Sequence, residues 1–101
     1  MARRANLHRI LCDILGSDHV YYQPPPSVRL TYPAIVYRRE DIQNTFADDE
    51  VYTQSHVYAL TVIDADPDSP YVEAVSRLPT CRFDRHYAAD NLNHDVFLIH
   101  Y

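Results

Sequence analysis

The 101-residue chain has no tryptophan, no lysine and a single glycine, Gly16. With one glycine it cannot build a glycine-rich loop around phosphates, and it can form few turns that need positive φ. Without lysine there is no ammonium to act as a base or a Schiff-base nucleophile, so all nine basic residues are arginines. Two readings of that bias stand side by side: base composition of the coding sequence, or a use for planar, bidentate arginine contacts at interfaces. No run approaches the ~20 consecutive apolar residues that span a bilayer. The opening Met1-Ala2-Arg3-Arg4-Ala5-Asn6 leads into an amphipathic segment rather than a signal sequence. The expectation is a chain that works in a cytoplasm, or in a particle assembled there.

Cysteine is scarce as well. Cys12 and Cys81 stand far apart with apolar neighbours. The count permits a disulfide, but two buried thiols in a reducing compartment is the preferred reading, and no C-x-x-C pair points to zinc or redox chemistry. Net charge is −5. An acidic chain with scattered arginines is a poor wrapper of nucleic acid, whose affinity comes from phosphate neutralisation.

What is present reads as one small domain. Leu7, Ile10, Leu11, Ile14 and Leu15 form an apolar stripe at helical period, closed by Gly16 at the αL position. Arg3, Arg4 and Arg9 sit at the start of that helix, against its dipole, and are expected to be solvated. His19–Gln23 is β-prone and is stopped by Pro24-Pro25-Pro26, with an extended stretch from Val28 to Tyr32. Ala34–Arg39 is a good strand. Residues 40–50, with five carboxylates, read as a long acidic loop at a hairpin tip. Val51–Ala65 is the longest strand, with Tyr58, Leu60 and Val62 on one face and Ala59, Thr61 and Ile63 on the other, both partly covered. Ser69-Pro70 is an N-cap and N1 pair opening a short helix marked by Tyr71, Ala74, Val75 and Leu78. Cys81–Tyr87 and Val96–Tyr101 close the chain as strands, with Asp90–Asp95 as a polar turn between them. The order α-β-β-β-α-β-β predicts an α+β fold, a mostly antiparallel or mixed β-sheet with both helices on one face.

Chemistry finds little footing. Asp64, Asp66 and Asp68 have calcium-loop spacing, but Ser69 and Val75 stand where glycine and glutamate belong, so a capping turn is preferred. Asp84, His86, Asp90, His94 and Asp95 are the densest set of metal-ligand types, without a nuclease spacing or a lysine. Cys12 falls in a helix and Ser69 lacks a nucleophile elbow. The chain is expected not to be an enzyme. Nine tyrosines exceed what a small core accommodates easily, and beside arginine they suggest an interface; a tyrosine-rich core is the competing reading.

Several segments taken in order resemble a known family. They are His19-Val20-Tyr21-Tyr22-Gln23-Pro24-Pro25, Tyr32–Tyr37, Phe46-Ala47-Asp48, Tyr58–Asp64, Asp66-Pro67-Asp68-Ser69, Leu78-Pro79, Phe83-Asp84-Arg85 and Asp90–Asp95. Their succession, covering nearly the whole chain, is similar to tail-terminator or tail-completion proteins of siphophages. The resemblance implies a virion protein at the head–tail interface, a hexameric ring that caps the tail tube and faces the head connector or stopper protein. It implies no cofactor, no catalytic residue and no membrane, with DNA passing through the ring without specific binding. By analogy Phe46, Asp48, Asp49, Glu50 and Tyr52, with Arg82 and Arg85, are the candidate contacts to a neighbouring subunit or to the lumen. A head-completion or head–tail adaptor ring is the nearest alternative, then a metal-dependent nuclease or a monomeric host-interaction protein.

Overall fold

A computed structural model describes the backbone of residues 3–47 and 50–101, and side chains outside residues 1–3 and 45–53. Two helices and five strands follow in the expected order: α1 (Arg3–Leu15), β1 (Val20–Tyr22), β2 (Ala34–Ala47), β3 (Glu50–Asp64), α2 (Pro70–Ser76), β4 (Cys81–Ala89) and β5 (Leu92–His100). The strands form one mixed sheet in the order β1-β2-β3-β5-β4. Only β1 and β2 run parallel; every other neighbouring pair is antiparallel. The fold is α+β.

The core follows from two periods. On α1 the 3.6-residue repeat turns Leu7, Leu11 and Leu15 inward; in the strands alternation turns Ile35, Tyr37, Tyr58, Leu60, Val62, Phe97 and Ile99 to meet them. Val75 of α2 joins the same cluster, so both helices lie on one face. Leu7, Leu11, Ile35, Tyr37, Leu60, Val62 and Val75 are wholly buried. Each such aliphatic side chain contributes roughly 1.5–3 kcal/mol by burial. Gly16 has φ +73°, and its N–H donates to Cys12 O at 2.8 Å, the helix end expected from the sequence. Ser69 Oγ accepts from Tyr71 N at 3.3 Å and Pro70 opens α2, again as expected.

The opposite face is covered too, without a helix. Ala34, Val57, Ala59, Ile63 and Val96 are at most 6% exposed. Tyr21, which pairs with Val36 and so shares this face, accepts a hydrogen bond from Thr31 N at 3.3 Å, tying the proline-rich connection to it. That connection carries no strand at 28–32, in keeping with an element order that counts none there. The Tyr32–Pro33 bond is cis.

Two expectations are corrected. Residues 40–47 are not a loop but the second half of β2, paired from Asp41↔Val57 to Ala47↔Glu50. The turn region Asp90–Asp95 shrinks to Asp90-Asn91, because β5 begins at Leu92. Both turn residues have positive φ, 53° and 61°, the backbone that a two-residue hairpin loop requires.

Candidate functional site

The two longest strands, β2 and β3, outrun the rest of the sheet. β1 pairs β2 only as far as Tyr37, and β5 pairs β3 only from Val57 onward. Tyr101 N donates to His56 O at 2.8 Å and ends that contact. Beyond these points, among the described residues, β2 and β3 pair only with each other, as a two-stranded ribbon. A bulge between Arg39 and Asp41 marks its base, where Arg38 and Glu40 form an ion pair at 3.0 Å. Along the ribbon Ile42 is 39% exposed, and Gln54 Nε2 donates to Asn44 Oδ1 across the strands at 2.9 Å. The backbone of Phe46 pairs with Val51, and Glu50 and Tyr52 open β3. Asp48 and Asp49 lie outside the described residues, as do the side chains of Phe46, Glu50 and Tyr52.

Arg82 and Arg85 lie at the other edge of the sheet. β4 is the outer strand, and Arg82 to Ala89 are exposed throughout. Arg82 is level with Leu98, Ala59 and Arg38; Arg85 is level with Val96, Thr61 and Val36. From Thr61 to Glu50 the strand advances roughly 36 Å at ~3.3 Å per residue. One chain therefore does not bring the arginines of β4 to the end of the ribbon. Contact between these two sets requires two chains.

The metal-ligand types scatter. Asp64 Oδ1 accepts from Asp66 N (3.1 Å) and Asp66 Oδ1 from Asp68 N (2.9 Å), the capping turns expected of that spacing. His86 Nδ1 donates to Asp95 Oδ1 at 2.9 Å on the helix side, whereas His94 stacks on Tyr87 at 4.6 Å on the other face. The sheet thus divides this polar set. Among the described residues no three His, Cys, Asp or Glu side chains gather for a metal ion. Both cysteines are free and half-buried. Burial pushes the Cys81 thiol up to about 11 and raises Cys12, whose neighbours Asp18 and Asp13 add to the effect. Neither is primed as a nucleophile.

Sequence reasoning missed one cluster entirely. Arg4 is not simply solvated: its guanidinium lies over the Tyr22 ring at 4.5 Å and donates to the Tyr37 hydroxyl at 3.4 Å. The same hydroxyl hydrogen-bonds His8 Nδ1 at 2.8 Å, and Tyr22, Tyr37 and Tyr58 pack ring against ring at 4.9–6.5 Å. Burial raises the Tyr37 phenol, an effect that Arg4 opposes. Three of the tyrosines thus serve the core. No local signal joins Arg4 and His8 to Tyr37, about thirty residues away, so only the fold reveals the contact.

The described surface includes two shallow concavities. One of about 220 Å³ is apolar, between Leu7, Ile10, Leu78, Pro79 and Tyr101; one of about 290 Å³ is lined by Ser69, Asp68, Glu73 and Asp95. No helix among the described residues is long and apolar enough to cross a membrane. Comparison with family models, with curated proteins and with solved structures finds no match to this chain.

Proposed function

We propose that the chain is a structural subunit of a phage tail, which assembles as a ring on the finished tail tube, stops its growth and faces the head connector. The observation that carries this reading is the ribbon. A two-stranded ribbon is marginal in water without a third strand or a packed surface. Here β2 and β3 run past every strand partner among the described residues, and the connection between them holds Asp48 and Asp49. A neighbouring copy supplies what the ribbon lacks, with Arg82 and Arg85 as the charge partners of Asp48, Asp49 and Glu50. Because ribbon and β4 are different surfaces, the contact is head-to-tail, the kind that closes into rings. The ordered segments that resemble siphophage tail-terminator proteins support the same reading. Acidic groups left facing a lumen would repel DNA and let it pass without adhering.

The test is negative-stain microscopy with native mass measurement, on the chain alone and with tail tubes. Open six-copy rings at tube ends are the expected result. Deleting residues 44–50 is expected to abolish the rings or release tails of uncontrolled length. Normal rings and normal tails from that deletion would overturn the proposal.

A further inference from the structure

The turn between β4 and β5 determines which backbone groups β4 offers to the outside. A two-residue loop with both φ positive makes its flanking residues, Ala89 and Leu92, a hydrogen-bonded pair. By alternation Tyr87 bonds to His94, and the N–H and C=O groups of His86 and Ala88 point away from β5. Among the described residues no strand lies beyond β4 to receive them. The bulge between Phe83 and Arg85 lies outside this stretch, leaving Arg85–Ala89 straight. Neither lysine nor proline, the usual guards of an edge, occurs in it.

We infer that this edge pairs with the same edge of a second copy, antiparallel about a two-fold axis through Tyr87. The register is self-complementary. With Tyr87 opposite Tyr87, His86 falls opposite Ala88 of the other copy and Ala88 opposite its His86. These are the residues whose backbone groups face outward, so both pairs form two hydrogen bonds. The two Tyr87 rings, each 43% exposed, meet at a non-hydrogen-bonded position, where side chains approach most closely. Each is already stacked on His94, with 12° between the planes, so the axis carries a four-ring ladder. Arg85 falls opposite Ala89, which keeps the two guanidiniums apart. A two-fold contact closes at two copies. It is therefore a different contact from that of the proposed ring, although Arg85 of β4 takes part in both, and the two are tested apart.

A small edge contact of this kind is expected to be weak, with Kd on the order of 10⁻⁴ M. Sedimentation equilibrium of the full chain up to about 1 mM should show a monomer–dimer equilibrium. Ala88→Pro removes only an outward N–H and Tyr87→Glu sets like charges on the axis; each should weaken the dimer at least ~10-fold. Position is read by oxidation. In a Cys12→Ala/Cys81→Ala background, Tyr87→Cys should form a disulfide dimer, because directly opposed residues lie ~4.5 Å apart, whereas Ala89→Cys should not. A monomer at every concentration, or a cross-link at 89 without one at 87, overturns the pairing. Rings without the 87 cross-link overturn the pairing and leave the ring; a cross-linked dimer that never forms rings does the reverse.

Discussion

Tyr37 shows how one side chain can hold a helix to a sheet. Its ring is wholly buried, while its hydroxyl reaches the half-buried edge where Arg4 and His8 of α1 meet it. Tyr37→Phe keeps the packing and removes both hydrogen bonds. It should lower the unfolding free energy by about 1–2 kcal/mol, read as a shift in urea midpoint at unchanged slope. Tyr37 and Cys81 also shape the response to alkali. Burial raises both acids above their unfolded values, so the folded state holds these protons longer. The stability from Cys81 is complete below pH 9 and is lost as pH rises through about 11. Urea titrations from pH 8 to pH 11 should show a decline that Cys81→Ala makes shallower; an unaltered slope would contradict this assignment.

At the scale of elements, caps and turns were legible where chemistry is local. The leucine stripe, Gly16, and Ser69-Pro70 mark α1 and α2 because each acts within one turn of backbone. The far half of β2 was not legible. Over residues 40–44 every side chain is exposed, Ile42 included, so neither face is buried there and alternation carries no signal. β5 was misjudged at its start for another reason. Asn93, His94 and Asp95 look like loop residues, yet Asn93 Nδ2 donates to Asp64 O at 3.4 Å, His94 stacks on Tyr87 and Asp95 accepts from His86. Polar groups satisfied across strands leave no trace in the sequence of one strand. The turn itself is improvable. Asn91 holds φ 61°, so Asn91→Gly should raise the thermal midpoint slightly, while the β-branched Asn91→Val should lose about 1–2 kcal/mol. Thermal scans of the two variants should move in opposite directions.

For the whole molecule, the ribbon and the body should behave as two levels of stability. The amides of Leu60 and Val62, in a central strand under both helices, should exchange only on global unfolding. Those of Gln43 and Asn44, paired to one strand only, should exchange orders of magnitude faster in the isolated chain and slow down on assembly. Equal rates in the free and assembled protein would remove the ribbon from the interface. The candidate site was legible only in part for the same reason. The family resemblance pointed to acidic and arginine-bearing segments, but only the sheet order sets β4 and the ribbon apart, so that their meeting needs a second chain. The placement of α1 has a consequence for synthesis. Its apolar stripe shares one core with Tyr37, Leu60 and Phe97, and the last of these lies in β5. At ~5–20 residues per second, roughly 80 residues separate Leu15 from Phe97, so the stripe stays uncovered for on the order of 4–16 s. The helix leaves the ribosome well before the surface that receives it is complete.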